Sequence, residues 1–321
     1  MKPPSFQLDE RPPLGFRLRT KLRRTALARA LYRRRWNRRA DVVLISFPKA
    51  GRTWLRLLLA KSLALRFDVP EGELLELHRL AERHPGIPRI RVKHDDDPQL
   101  KTPDELVAVK SEYRDRKVVL LVRDLRDLAV STYFQMSRRE KRYAKDLSSF
   151  LRCPRGSVDT MLRFYDLWAE NRHVPASLLL VRYEDLQRDT VGELRRILDF
   201  VGVADLPDSL LREAVAFASF DNMRRMEESD AAGSGRLRPG DPTDPESFKT
   251  RKGRIGAFAD YLSPEEVRWL DGRIARELSP WYGYGPPGDG AASGRAEAPG
   301  TPTGAARESP SSAKTKPSSA R

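Results

Sequence analysis

The sequence has one cysteine, four histidines and no long apolar run. The scarcity of cysteine and the lack of a long apolar run each exclude a class of protein. Its 321 residues include one cysteine, Cys153, so no intrachain disulfide can form and no oxidising compartment is needed. The apolar stretch Trp54–Leu65 is interrupted by Arg56 and Lys61 and falls short of the ~20 residues of a membrane-spanning helix. The basic N-terminus has neither the apolar core nor the cleavage site of a signal peptide. We therefore expect a cytoplasmic protein.

Acidic side chains are also in the minority, but the excess of positive charge lies mostly at the ends of the chain. The 60 Lys and Arg outnumber the 45 Asp and Glu and give a net charge of +15. Residues 1–40 carry +11 of this charge, residues 286–321 carry +2, and residues 41–285 carry the remaining +2. A fold that binds nucleic acid has a strongly basic surface. Sequence-specific binding of nucleic acid is therefore not expected of the central part.

The composition divides the chain into three segments. Residues 286–321 lack Val, Ile, Leu, Met and aromatic side chains, which predicts a disordered tail rich in Gly, Pro, Ser and Ala. Residues 1–40 form a basic arm, in which residues 16–36 predict a partly amphipathic helix. The favoured interpretation is a solvated helix lying on the domain; the alternative is contact of residues 16–39 with a membrane surface or nucleic acid. Residues 41–285 form the main domain, whose oligomeric state the sequence leaves open.

Apolar strands alternate with helical segments through the main domain. The predicted strands are Val42–Phe47, Arg89–Lys93, Lys117–Val122 and Leu178–Arg182. The predicted helices are 53–67, 103–114, 124–138, 157–171, 190–201, Asp208–Ala218 and Ser263–Leu278. This alternation is typical of an α/β fold with a central parallel sheet flanked by helices, and the nearly continuous apolar runs at 42–45 and 118–122 predict central strands. Residues 228–250, rich in Gly, Pro, Asp and Ser, predict a long mobile loop.

The turn after the first strand has the features of an anion site. Such a turn points backbone N–H groups and the positive end of the helix dipole at one spot. Lys49 adds a mobile positive charge and Thr53 a hydroxyl. The turn lacks the pattern G-x-x-x-x-G-K-[ST], because Lys49 precedes Gly51, so a site for a magnesium nucleoside triphosphate is a poor match. Taken alone, the segment is equally consistent with an ordinary strand-to-helix turn.

Two further clusters of positive charge follow. Arg123 ends the third strand and Ser131 lies two helical turns later, so both can face one phosphate at the carboxyl edge of a parallel sheet. Two alternatives stay open here: Arg123 pairs with Asp127, or Asp124 approaches a metal ion as a Walker B acid does. Residues 248–256 form a cationic segment with two glycines, which taken alone would be a solvated run of charge.

In this order, the clusters resemble the motifs of the cytosolic-type sulfotransferases, which take a sulfuryl group from 3′-phosphoadenosine 5′-phosphosulfate (PAPS). The matching segments are Pro48–Trp54, Arg123–Ser131, Tyr183–Asp185, Ser219–Met223 and Arg251–Gly256. The resemblance covers about residues 41–282 and implies a fold like that of the P-loop NTPases. It further implies transfer of the sulfuryl group to an acceptor hydroxyl or amine, with 3′-phosphoadenosine 5′-phosphate (PAP) as the product and without a metal ion.

The resemblance also implies which residues bind the donor. Those implied for its 5′ side are Lys49, Ala50, Gly51, Arg52, Thr53 and Trp54. Those implied for its 3′-phosphate are Arg123, Ser131, Arg251, Lys252 and Gly253. Tyr183 and Phe220 would complete the adenine pocket beside Trp54. Arg52 departs from the better-known members, which have a threonine at this position.

The segment Pro88–His94 resembles the family strand that ends in the catalytic histidine. An imidazole with an ordinary pKa of about 6.5 can take a proton from an attacking hydroxyl at neutral pH, so His94 is the predicted general base. By the same resemblance, Lys49 stabilises the leaving phosphate, and Ser131 holds Lys49 away until both substrates are present. Asp95–Asp97 follow His94 directly, and three carboxylates there predict a raised pKa for His94.

Two other functions and several acceptors remain open at this stage. A nucleotide kinase could use the same loop, although the missing Walker A pattern and the segment 251–253 count against it. A binding protein that uses only its basic arm is the other alternative. For the acceptor, basic residues on the predicted rim favour an anionic molecule, whereas Asp95–Asp97 favour a neutral or cationic one. These rim residues are Arg138, Arg139, Lys141 and Arg142. A small molecule, a glycan and a lipid-linked acceptor all remain candidates.

Overall fold

A parallel sheet lies at the centre of the protein. The structure, a computed structural model, describes residues 6–23, 25, 27, 40–70, 75–230 and 237–284. The strands in these ranges are β1 (Val42–Ser46), β2 (Ile90–Lys93), β3 (Lys117–Val122) and β4 (Ser177–Arg182). They are parallel and lie in the order β2-β1-β3-β4. The predicted parallel sheet is therefore confirmed, and each strand agrees with its predicted bounds to within a residue.

The sequence of each strand matches its place in the sheet. β1 is buried along its whole length, and β3 is buried except at Lys117. Both strands have a neighbour on each side, as expected for continuous apolar runs covered on both faces. Because Val42 is in register with Ile90 and with Lys117, the strands end at a common edge. Ligands of open parallel sheets bind at this carboxyl edge.

Helices follow the strands and flank the sheet. In the described ranges they are α1 (Leu14–Arg23), α2 (Arg52–Phe67), α3 (Leu77–Leu80), α4 (Leu125–Phe134), α5 (Leu147–Leu151), α6 (Val158–Glu170), α7 (Tyr183–Arg188), α8 (Thr190–Val201), α9 (Asp208–Phe217), α10 (Phe220–Ser229) and α11 (Pro264–Glu277). A π-helical turn, Gln135–Arg139, continues α4. α11 begins with a capping box between Ser263 and Glu266, with a proline in its first turn.

The helix predicted over residues 103–114 is wrong. Only two 3-10 turns form there, Pro103–Glu105 and Ser111–Tyr113. Between them the chain leads Lys110 inward, where its ammonium group and the Tyr113 hydroxyl both donate to the buried Asp95 carboxylate. These tertiary bonds outweigh the weak local preference for helix. The predicted loop 228–250 is shortened by α10 and by a 3-10 turn at Pro245–Ser247, and residues 231–236 lie outside the described ranges.

The N-terminal arm is partly described. Phe6 and Leu8 pack into a small second core with Met136, Tyr143 and Phe150, while Leu14, Leu18 and Leu22 of α1 are exposed. α1 thus lies beside the domain as a helix with a solvated face. Residues 28–39 and 285–321 lie outside the description, so the rest of the arm and the tail stay predictions. Of the helices in the described ranges, none combines the length and the apolar character needed to cross a membrane.

Candidate functional site

The turn between β1 and α2 has the backbone of an anion-binding loop. Lys49 has a φ of 75° and Gly51 a φ of 95°, both in the left-handed region. A Cβ at Gly51 would lie 2.5 Å from the ring of Tyr183, so a side chain at this position is excluded by contact as well as by backbone conformation. Among the described residues, no side chain caps α2 and no acid lies in its first turn. The first N–H groups of α2 therefore remain available to an anion.

Arg123 connects this loop to the end of β3. Its guanidinium donates to the backbone carbonyl of Lys49 at 3.4 Å, lies 3.5 Å from the carboxylate of Asp127, and stacks on the ring of Tyr183 at 4.4 Å. Its Nε is buried and has no partner among the described residues. A buried donor without an acceptor is costly, so this atom is a candidate donor to an anionic ligand. The sequence-based alternative of an Arg123–Asp127 pair thus coexists with a contact at the anion loop.

A cavity brings together residues that are far apart in the sequence. Three of the predicted site residues, Lys49, Ser131 and Arg251, line it. The other residues that line it are Phe134, Gln135, Arg139, Glu246, Ser247, Phe248 and Lys249. Lys49 Nζ donates to Gln135 Oε1 at 3.2 Å. The cavity is therefore mostly polar, with four basic side chains in its wall.

The positive charges in this wall destabilise one another. Burial, together with Arg139, Arg251 and Arg123, lowers the pKa of Lys49 to about 7, against the opposing effect of Glu227. Burial, Arg139 and Lys49 also hold the pKa of Lys249 well below its ordinary value. A bound anion would relieve both effects, since it favours the charged form of each amine.

The predicted residues of the C-terminal motif are held by acids. Arg251 donates to Glu246 at 3.1 Å and its guanidinium stacks on Phe134 at 4.2 Å. Lys252 is more exposed and lies 3.5 Å from Asp260. Arg251 thus faces the cavity, whereas Lys252 lies outside its lining.

Aromatic rings flank two glycine turns, the one at Gly51 and the one at Gly253. Tyr183 packs edge-on against Trp54 with ring centroids 5.7 Å apart, above Gly51. The ring of Phe220 lies over Gly253, where a Cβ would come within 2.3 Å of it. The residues predicted to form an adenine pocket therefore sit beside the predicted phosphate loops, although Phe220 remains 40% exposed.

His94 follows β2 directly and faces the anion loop. Its Nδ1 lies 3.2 Å from the carbonyl oxygen of Ser46, which can only accept, so Nδ1 carries the proton and Nε2 carries the lone pair. This Nε2 accepts a hydrogen bond from the guanidinium of Arg52. Burial and the charge of Arg52 hold the pKa of His94 well below its ordinary value. His94 is therefore neutral at pH 7, in the form a general base requires.

The three aspartates after His94 do not act on it as the sequence predicted. Each has a positive φ, and their carboxylates bond to other side chains. The partners are Lys110, Tyr113 and Trp168 for Asp95, Lys101 for Asp96 and Arg19 for Asp97. Since these charges are paired, and burial and Arg52 lower the pKa of His94, the predicted rise in this pKa is wrong.

Acids near Arg123 organise the loops. Asp124 accepts from the backbone N–H of Arg126 at 2.9 Å and pairs with its guanidinium at 2.6 Å, and no cluster of potential metal ligands occurs among the described residues. The Walker B alternative therefore has no geometric support. Asp127 accepts from the backbone N–H groups of Gly256 and Phe258, both at 2.9 Å. This joins the C-terminal motif to the start of α4.

Known sequences match this chain over about three quarters of its length. Residues 39–281 match the family profile described as a sulfotransferase domain. Cytosolic sulfotransferase 17 of Arabidopsis thaliana is 24% identical over 265 residues, which is 74% of each chain. Flavonol 3-sulfotransferase of Flaveria bidentis is 23% identical over 264 residues, covering 74% of this chain and 81% of the other.

Solved structures share the fold. A mouse sulfotransferase complexed with PAP superposes with a TM-score of 0.52 at 22% identity, over 75% of this chain and 85% of the other. Retinol dehydratase, in a complex with retinol and PAP, superposes with a TM-score of 0.51 at 16% identity, over 77% and 84%. At these identities the superpositions establish the fold alone.

Proposed function

The chain belongs to the sulfotransferase family, and from this we propose that it transfers the sulfuryl group of PAPS to a hydroxyl or amine. The observation that carries the choice of donor is the buried, unpartnered Nε of Arg123 beside the uncapped start of α2. PAPS offers phosphate groups to both, and relatives of the same fold are complexed with PAP. No feature in the described ranges favours a nucleotide kinase, since the Walker A pattern is missing and Asp124 is paired with Arg126.

The donor site would be divided between the two glycine turns. The 5′ side would lie on the N–H groups and side chains of Lys49–Trp54, and the 3′-phosphate near Arg123, Ser131 and Arg251. Tyr183 and Phe220, with Trp54, would flank the adenine. When bound, PAPS supplies a sulfuryl group that passes to the acceptor as its bond to the phosphate breaks. Lys252 is paired with Asp260 and lies outside the cavity lining. It would therefore contribute only after it leaves Asp260.

His94 would accept the proton of the acceptor. Its Nδ1–H stays on Ser46, so the lone pair on Nε2 is the atom that takes the proton. In the structure this lone pair is bonded to Arg52, which also belongs to the anion loop. We expect Arg52 to turn toward the donor phosphates when they bind. That movement would free the base only once the donor is in place.

Lys49 would stabilise the negative charge that grows on the leaving phosphate. Its ammonium group is already held by Gln135 at the cavity wall. Ser131 lines the same cavity, which supports the proposal that its hydroxyl bonds to Lys49 and restrains it until both substrates are present. No metal ion takes part in this proposal, because basic side chains supply the positive charge.

The acceptor is proposed only as a hydroxyl or amine compound: a small molecule, a glycan or a lipid-linked molecule. Relatives of the same family are named for different molecules, so their names do not select one. We propose a cytoplasmic location from the cytosolic relatives. Contact of residues 16–39 with a membrane surface stays a prediction, since most of this segment lies outside the described ranges.

Transfer of radioactive sulfur tests the proposal. We expect the purified protein to move ³⁵S from PAPS to at least one class in a panel of phenols, amines, sugars and hydroxylated lipids. Arg123→Met should raise the KM for PAPS roughly tenfold or more, because a charged hydrogen bond contributes about 1.5–3 kcal/mol. Labelling of no acceptor class, together with transfer of ³²P from ATP in magnesium, would contradict the proposal and favour a kinase.

A further inference from the structure

Helix α1 carries three leucines on the face that points away from the domain. Leu14, Leu18 and Leu22 follow one another at intervals of four residues, so they form one stripe along the helix. They are 68%, 50% and 60% exposed. Single exposed leucines are ordinary on a protein surface, whereas an aligned set forms an apolar patch of the kind that marks an interaction site. We propose that this leucine stripe docks the protein on a bilayer that contains anionic lipids.

The opposite face of α1 packs on the domain. Phe16 packs against the second core, with its ring centroid 5.3 Å from that of Phe6, and Thr20 is buried. Arg19 lies 3.8 Å from the carboxylate of Asp97. Leu18 is two residues from both Phe16 and Thr20, which is about 200° around a helix of 3.6 residues per turn. Within the described ranges, α1 therefore has a covered inner face and an exposed outer one.

The chain before α1 is also bonded to the domain. The backbone N–H of Leu8 donates to the carbonyl of Arg142 at 3.1 Å, and the side-chain amide of Gln7 donates to the carbonyl of Lys141 at 3.3 Å. These bonds, together with the packing of Phe16, make α1 part of the folded domain. The leucine stripe is therefore held outward by the fold.

The charges around the leucine stripe select its partner. Arg17 and Lys21 border the stripe and are exposed. α1 contains four basic residues and no acid, and residues 28–39 add six arginines, again without an acid. Leucines bordered by basic residues are typical of helices that lie in the interface of an anionic membrane. The lipid headgroups attract the cations, while the acyl region takes up the leucines.

A second copy of the chain fits the leucine stripe less well. Two α1 helices packed through their leucines would bring Arg17 and Lys21 of both copies together, and facing like charges weaken an interface. Three leucines are also few beside the roughly 20–30 residues that each partner contributes to a stable interface. A nucleic acid would pair with the basic side chains but would leave the leucines in water.

Sedimentation with vesicles tests this inference on the 321-residue chain. Wild type should bind vesicles of equal parts phosphatidylcholine and phosphatidylserine, and added salt should weaken this binding. Leu14→Gln/Leu18→Gln/Leu22→Gln should bind them roughly tenfold more weakly or less, because glutamine keeps the helix propensity and removes the apolar surface. Arg17→Gln/Lys21→Gln should weaken binding by a similar factor. The matched control, Val109→Gln, replaces an exposed apolar residue outside α1 and should bind like wild type.

The outcomes decide between the possible partners. Equal binding of wild type and the leucine variant overturns the proposal, because the basic segment 28–39 would then suffice. Absence of vesicle binding by wild type also overturns it, and a dimer that the leucine variant separates would then assign the stripe to a second copy. Because the replaced side chains are exposed, the variants should melt like wild type.

This proposal and the proposed function fail separately. Titration with PAP should give the same affinity for wild type and for the leucine variant, since α1 contributes no residue to the cavity lining. A wild type that binds vesicles but not PAP would contradict the donor assignment and support the docking of α1. A wild type that binds PAP but not vesicles would do the reverse.

Discussion

Replacing His94 by glutamine should lower kcat for sulfuryl transfer by roughly 10²- to 10⁴-fold, the usual contribution of a general base. The reason lies in the proposed mechanism: the imidazole is neutral, and Nε2 is the ring nitrogen with a lone pair, which can take a proton once Arg52 turns away. Glutamine keeps the approximate size of the side chain but cannot take up the proton. Donor binding should change little, since the role proposed for His94 is toward the acceptor. Steady-state kinetics and a PAP titration measure the two effects separately.

The pH dependence of kcat/KM tests the proposed role of His94 independently. Its pKa is held well below 6.5 by burial and by the charges of Arg52, Lys249 and Arg56, against the opposing Ser46 carbonyl. Protonation inactivates a base, so the acidic limb of kcat/KM for wild type should lie below pH 6.5. The matched control is His173→Gln, which changes an exposed histidine and should leave kcat within about twofold of wild type. Near-normal turnover in His94→Gln would remove His94 from the mechanism.

Replacing Lys49 by methionine should lower kcat by roughly 10²- to 10³-fold, as does loss of one group that stabilises developing negative charge. Lys49 lies in the turn just before the uncapped start of α2 and lines the cavity with Ser131 and Arg251. Methionine keeps the length and the apolar stem, so the change isolates the charge. Because the role proposed for Lys49 is on the leaving group, kcat should fall more than the affinity for PAP.

Lys49 should also produce an alkaline limb. Its pKa is about 7 in the free protein, so a rising pH removes the charge that the reaction needs, and kcat/KM should begin to fall near pH 7. The limb in kcat should lie at higher pH, because bound donor favours the protonated amine. Lys49→Arg should lose this limb, because a guanidinium stays charged throughout this pH range. An unchanged alkaline limb in Lys49→Arg would contradict this assignment.

The sheet was predictable because its signal is local. The apolar runs at 42–45 and 118–122 have no polar positions that could face water, so they predict central strands, and they form the two inner strands. The helix predicted over 103–114 failed for the opposite reason. There, Lys110 and Tyr113 bond to Asp95, which lies 15 and 18 residues earlier in the chain but beside them in the fold. A local pattern does not reveal these bonds.

The sequence predicted only those site residues that lie in the family motifs. The resemblance selected Lys49, Ser131 and Arg251, and the fold brings these residues to one cavity. It did not select Lys249, because a lysine in a cationic run reads as solvated unless its backbone is known to be held by Glu227. The bond between Arg52 and His94 was equally hidden, since it joins the start of α2 to the residue that follows β2.

Calorimetric titration with PAP, with ATP and magnesium in parallel, tests the central claim most directly. We expect wild type to bind PAP saturably, ATP not to reproduce this binding, and a Lys49→Ala/Arg123→Ala double variant to lose it while remaining folded. Absence of PAP binding, or a preference for ATP with magnesium, would contradict the assignment of PAPS as the donor.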